Sequence, residues 1–200
     1  MTKAFIQTLA ISAFLILASN VKAQSDYIIS QKGDSISCTI STPFLSKIDR
    51  YKTDANSKTT KINPDEVKRY YRADRNKLYY SVYKTGKDKP EFMPVIEHGK
   101  INLFEVVETS YSSGGMMHMT TTSSTTYWYV SKGADTVKEL KTSGLFWLGK
   151  SKQNRKDILG DMVKDNKTIY DQYVAEDKFS FKQIRKLVHL YNTGEPLKED

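Results

Sequence analysis

The chain has little of what marks a disulfide scaffold or a metal-bound fold: one cysteine, three histidines and five prolines among 200 residues. A single cysteine cannot form an intramolecular disulfide, so the fold must stand on its buried core alone. C-x-x-C pairs are excluded by the same count, and neither G-x-S-x-G nor H-E-x-x-H occurs. Ser81-Val82-Tyr83-Lys84 matches S-x-x-K, but the local pattern is that of a strand, on which residues three apart point to opposite faces. His98 falls in a predicted turn, His118 in a predicted loop and His189 beside the apolar stripe of a predicted helix. Each reads as structural. No catalytic residue and no cofactor-binding motif is identified, and a hydrolase-type enzyme would need a site assembled from non-local residues.

Long hydrophobic runs are also lacking. The longest, Leu9 to Ala18, is ten residues. At about 1.5 Å per helical residue it covers only about half of a roughly 30 Å bilayer core. It follows Lys3 and precedes Val21-Lys22-Ala23, the order of charge, apolar stretch and small-residue site that defines a secretory signal peptide. Cleavage is expected between Ala23 and Gln24. Gln24 stands where a bacterial lipoprotein would carry its lipidated cysteine, so no lipid anchor is expected. The expectation is an exported protein, periplasmic or extracellular, with no integral membrane segment after cleavage.

Residues 24–200 suit one domain. The hydrophobic fraction of 38% and aromatic fraction of 12% can fill a core. Lys3 and Lys22 leave with the signal peptide, so 29 cations face 23 acids and the charge falls from +8 to +6. A basic chain invites a nucleic-acid reading. Export argues against it and favours an envelope protein or an anionic envelope polymer as partner.

Residues 26 to about 140 read as β structure. Strands are predicted at Tyr27–Ser30, Ser35–Ile40, Lys47–Thr53, Lys58–Ile62, Val67–Arg72, Leu78–Tyr83, Glu91–Ile96, Lys100–Val107, Thr125–Ser131 and Asp135–Leu140. Ile36, Cys38 and Ile40 alternate with hydroxyl residues, which puts Cys38 on the apolar face of its strand as a small hydrophobe. Lys32-Gly33-Asp34 and Lys132-Gly133 recur in similar surroundings and read as one turn chemistry used twice.

From Ser151 the apolar spacing becomes helical: Ile158, Leu159, Met162 and Val163, then Ile169, Tyr170, Tyr173 and Val174. Ser180 and Gln183 form a capping box before the stripe Phe181, Ile184, Leu187, Val188 and Tyr191, and Gly194 and Pro196 end it. Strands followed by helices predict an α+β fold: an antiparallel β-sheet or partly open barrel over residues 24–143, with about three helices from 144–200 packed on the same domain. The apolar Gly144–Lys150 segment is expected to dock them.

Laid out this way, the chain resembles a family of exported proteins of the Bacteroidota type. The resemblance rests on Tyr27-Ile28, Gly33-Asp34-Ser35-Ile36, Pro64-Asp65-Glu66-Val67, Lys100-Ile101-Asn102-Leu103-Phe104 and Val188-His189-Leu190-Tyr191-Asn192. Cys38 stands where a glycine is common in that family. The resemblance implies location and fold, and it implies no activity and no site residues.

Three groups of residues could carry chemistry. Met116, Met117, His118 and Met119, in a glycine- and hydroxyl-rich segment, are soft ligands of the kind that suits Cu(I); the same methionines could be an adaptable contact. Tyr70, Tyr71, Tyr79, Tyr80 and Tyr83 interleave with Arg69, Arg72, Arg75 and Lys77, as in surfaces that stack on sugar rings or peptides, with one tyrosine of each pair expected to face the core. Asp34-Ser35-Ile36 and Asp135-Thr136-Val137 match a short O-glycosylation acceptor pattern and equally the needs of a turn. The leading reading is a non-catalytic envelope or secreted binding module whose contacts include Tyr70, Tyr79, Met116 and Met117. A non-local hydrolase and a copper-binding protein are the alternatives.

Overall fold

The computed structural model describes residues 25–44, 46, 48–113, 120–133, 135–143, 151–176 and 178–198. They form strands β1 Tyr27–Ser30, β2 Ser35–Ser37, β3 Thr39–Ser41, β4 Arg50–Lys52, β5 Thr60–Lys61, β6 Val67–Arg72, β7 Lys77–Lys84, β8 Glu91–Glu97, β9 Ile101–Ser113, β10 Thr120–Lys132 and β11 Thr136–Thr142. Helices α1 Lys152–Val163, α2 Lys167–Ala175 and α3 Phe181–Thr193 follow. The fold is α+β, as the change of period predicts. The signal cleavage residues Ala23 and Gln24, the 114–119 segment and the Gly144–Lys150 connection lie outside the described residues.

Eight strands form one sheet in the order β11-β10-β9-β8-β7-β6-β1-β2. One further, parallel pairing joins Thr136 and Val137 of β11 to Tyr83 and Lys84 at the end of β7. It closes β7 to β11 into a five-stranded ring. The first half of β7 is left to carry β6, β1 and β2 as an extension. A small second sheet, β3-β4-β5, lies apart in pairing. Gly33 and Gly133 both take positive φ, 95° and 64°, as the repeated turns require.

The predicted strand Ser35–Ile40 is two strands in two sheets. The break falls at Cys38, whose N–H donates to the Asp26 carbonyl at 3.1 Å. The Asp26 carboxylate accepts from Ile40 N–H at 2.6 Å and Ala73 N–H at 2.7 Å. One aspartate thus steers the chain out of the main sheet while the apolar alternation runs on unbroken.

Side-chain alternation divides the interior into three. Val82, Met93, Phe104, Tyr129 and Val137 fill the ring. Leu103 and Val130, next to Phe104 and Tyr129, point the other way, and with Ile101, Trp128 and Leu140 they meet Leu159, Val163, Ile184 and Val188 of the helices. Ile28, Cys38, Ile40, Ile62, Val67 and Tyr70 form a third cluster between the extension and the small sheet.

Hydrogen bonds then fix the helices. Ser180 and Gln183 complete the capping box in both directions. The Asn192 amide accepts from Ile101 N–H at 3.0 Å and donates to Ile101 C=O at 2.7 Å, so a helix side chain occupies a strand's place. Lys132 donates to the Met162 carbonyl at 2.6 Å and pairs with Asp165 at 2.8 Å, anchoring the end of α1 to β10.

The largest departure from expectation is the hairpin of β9 and β10. The sequence predicts strands ending at Val107 and beginning at Thr125. The strands instead pair without interruption from Ile101↔Lys132 to Ser113↔Thr120. The run Thr120–Thr126 contains only Thr and Ser, which carry no apolar alternation and so read as loop. Threonine nevertheless suits a strand well, and each residue here has a partner opposite.

Candidate binding site

The tyrosine cluster is sorted by register. Tyr70 of β6 lies directly opposite Tyr79 of β7, their rings stacked at 4.7 Å and 6°, with Phe92 edge-on to Tyr70 at 4.8 Å. Tyr71 and Tyr80 occupy the opposite face. Tyr71 stacks on Tyr27, and the Tyr80 hydroxyl accepts from Arg69 Nη1 at 2.9 Å. Tyr70 is buried, 4% exposed, and Tyr79 is half-buried. Of the two tyrosines among the predicted contacts, Tyr79 is the more exposed, and Tyr70 stacks beneath it.

Above this stack opens a cleft of about 530 Å³ between β6–β8 and the small sheet. Ile48, Pro64, Pro90 and Phe92 supply apolar walls, and Lys61 and Arg75 stand among its lining. Behind this lining lies a hydrogen-bonded network. Arg72 Nη1 reaches Asp49 at 2.7 Å and Thr42 Oγ1 at 2.6 Å. Arg72 Nε and Nη2 grip both oxygens of Asp74 at 3.0 and 2.7 Å. The Tyr70 hydroxyl donates to the other Asp49 oxygen at 3.0 Å. Burial and the neighbouring Asp49 carboxylate push the Tyr70 phenol well above its usual range, so it stays a neutral donor. The hydrogen bond from Arg72 holds the Asp74 carboxyl below the usual aspartate range. Arg72 is shared between Asp49 and Asp74, and Lys84 pairs with Glu91 at 2.5 Å. Arg75, which donates to Thr42 at 3.3 Å and also acts on the Asp74 carboxylate, and Lys61 are the further cations of the lining.

The features a catalytic reading would use are dispersed. His189 bonds Glu97 at 2.9 Å, and Glu97 also takes Arg185 Nε at 2.7 Å. His98 meets the Tyr80 hydroxyl at 3.1 Å and Asn102 at 2.9 Å. Neither imidazole has a Ser, Thr or Cys hydrogen-bond partner among the described residues. Ser81 donates to the Pro64 carbonyl at 2.7 Å, whereas Lys84 lies over the Tyr129 ring, so the S-x-x-K residues do not meet. Cys38 is 8% exposed, and burial, with the nearby Asp26 charge, pushes its thiol up to about 11, which disfavours the nucleophilic thiolate at neutral pH. Met116, Met117, His118 and Met119 lie outside the described residues. Ser35 and Thr136 are both exposed and each begins a strand after a glycine turn.

The tyrosines were legible in the sequence. Asp49, Thr42 and Phe92 were not, because they reach the cleft only through the register of separate strands. Comparison with protein-family models, with curated proteins and with solved structures found no match, so the functional reading rests on this chain's own residues.

Proposed function

We propose that the protein is a non-catalytic binding module, exported to the periplasm or the exterior, that takes an anionic envelope polymer in the cleft above Tyr79. The observation that carries this reading is the pairing of a rigid aromatic floor with two rim cations. The face of Tyr79, backed by Tyr70, offers a flat apolar platform of the kind on which rings stack. Lys61 and Arg75 supply positive charge at the rim, where Arg72 and Lys84 already engage the lining acids Asp49 and Glu91. The Arg72–Asp49–Thr42 network holds this surface in place before any ligand arrives, which lowers the ordering cost of binding. A uronate polymer matches both features, with sugar faces for the tyrosine and carboxylates for the cations.

The test is affinity electrophoresis in native gels containing polygalacturonate, with neutral dextran as control. Expected is retardation of the parent by polygalacturonate alone, lost in Tyr79→Ala and in Lys61→Glu/Arg75→Glu. A parent that runs alike in both gels, or variants retarded as strongly as the parent, would remove the cleft as the binding site.

A further inference from the structure

The β9–β10 hairpin runs on past the rest of the described residues. β8 pairs with β9 only at Leu103 and Phe104. β11 pairs with β10 only from Tyr127 to Val130, and Ser143 adds a backbone bond to Thr126. Beyond those points, residues 108–113 and 120–125 pair only with each other among the described residues. At about 3.4 Å per residue the arm extends roughly 20 Å. Its described side chains are exposed on both faces from Val107 to Tyr111 and from Thr122 to Ser124. Val107 is 56% exposed and Tyr111 74% exposed.

A two-stranded ribbon of this kind is marginal in water, and three or more strands with an apolar face are needed for independent stability. Its edges are also unequal. Exposed strand edges are ordinarily blunted by lysine, proline or a bulge. The β9 edge carries Glu108, so pairing two β9 edges would set like charges near one another. The β10 edge, Thr120–Thr125, carries no charge, no proline and no bulge, in a chain that is 27% charged. An uncharged strand of hydroxyl residues is compatible with its own antiparallel copy, since every side chain then faces another Thr or Ser.

We propose that β10 is a homodimerisation edge: two copies pair Thr120–Thr125 antiparallel about a twofold axis and make a continuous four-stranded sheet, β9-β10 with β10-β9 of the second copy. The pairing satisfies the outward N–H and C=O groups of both edges. It also sets Val107 and Tyr111 of each copy on one face of the new sheet, since both share that face with Thr122 and Ser124. The interface is isologous and closes at two copies. Six residues a side bury well under the roughly 800 Å² per partner of a standard interface, so the dissociation constant belongs in the range of about ten to a few hundred micromolar. This inference stands apart from the cleft, which lies on the small-sheet side of the extension.

Sedimentation velocity over that concentration range tests it. The chain without residues 1–23 is used, because every described strand and helix lies beyond them. Expected is a monomer–dimer equilibrium for the parent, and a dissociation constant raised at least about tenfold in Thr122→Lys/Ser124→Lys. Both side chains are exposed, so the variant should melt with the parent, and unchanged thermal unfolding confirms that it is folded. Ser110→Lys, on β9, should dimerise as the parent does. Amide exchange adds a second readout: protection of 120–125 should rise with parent concentration. A parent that stays monomeric throughout overturns the proposal. So does a lysine pair at 122 and 124 that leaves the dimer intact, a loss of dimer in Ser110→Lys, or growth beyond two copies, which would mean head-to-tail β9-to-β10 pairing instead.

Discussion

Arg72 is 3% exposed, and it is tolerated there because every direction in which its guanidinium points holds an acceptor. The same fact makes it hard to remove. Arg72→Met would leave the Asp49 carboxylate, itself only 10% exposed, with hydroxyl donors but no cation. Breaking such a pair by deleting one partner costs about 3–5 kcal/mol, to be read as a lower urea midpoint with an unchanged slope. The Asp74 side is weaker. Asp74 is 56% exposed at its side chain, and such pairs contribute at most about 1 kcal/mol. Its folded carboxyl titrates below the ordinary value. The contribution is therefore present above about pH 4 and is lost as pH falls through the lower folded value, so Asp74→Asn should lower neutral stability by at most about 1 kcal/mol and flatten the acid limb by the same amount. Cys38 has the opposite sign. Its thiol is raised from 9.0 to about 11 by burial and then by Asp26. Its stabilising share is complete below pH 9 and disappears between pH 9 and 11 as the unfolded chain ionises first. Iodoacetamide at pH 8 should leave the native chain unlabelled and label it once in denaturant; native labelling at the unfolded rate would show Cys38 to be exposed.

At the scale of elements, the joint between α3 and the sheet decides how the layers sit. A Cβ on Gly99 would lie 2.5 Å from the Asn192 side chain, so the glycine is what lets the asparagine reach Ile101. Asn192→Ala strands one buried donor and one acceptor, a loss of about 1–3 kcal/mol for each unsatisfied group. Gly99→Ala should approach the same destabilisation by pushing the asparagine away, and the double variant should add little to either single one. Additive losses in thermal melts would mean that the two residues act separately. The α3 N-cap is a smaller matter: Ser180→Ala removes one side of the capping box and should cost about 1 kcal/mol. The Val188–Asn192 stretch, on which part of the family resemblance rests, has structural duties throughout. Val188 is in the helix–sheet core, the Tyr191 hydroxyl donates to Asp165, and Asn192 clips Ile101.

For the whole molecule, two features set the layout: the ring closure and the Asp26 clamp. The parallel contact of β11 with β7 is short, two residue pairs, reinforced by Tyr83 N–H to Asp135 C=O at 2.8 Å and Thr85 N–H to Val137 C=O at 3.3 Å. Asp26 joins the start of the described chain to β3 and to the turn after β6. A signal peptide cut after Ala23 would leave Asp26 as the third residue of the new chain. Two chains, one beginning at Gln24 and one at Ile28, should therefore differ sharply: the first should melt cooperatively, and the second should lose the third core cluster. Equal melting temperatures would show that the clamp is dispensable.

The succession of strands and then helices, and the alternation of buried and exposed residues along most of them, followed local rules, because periods of two and of 3.6 are written in neighbouring residues. Val67–Arg72 as a strand, Ser180 as a cap and the burial of Cys38 were legible in this way. The ring closure, the split at Cys38, the length of the β9–β10 arm and the network behind the cleft were not. Each depends on which distant residues are brought opposite one another: Thr136 to Tyr83, Asp26 to Ile40, Tyr111 to Thr122, Arg72 to Asp49. Sequence patterns report which face a side chain takes; only the assembled backbone decides what lies on the other side of that face.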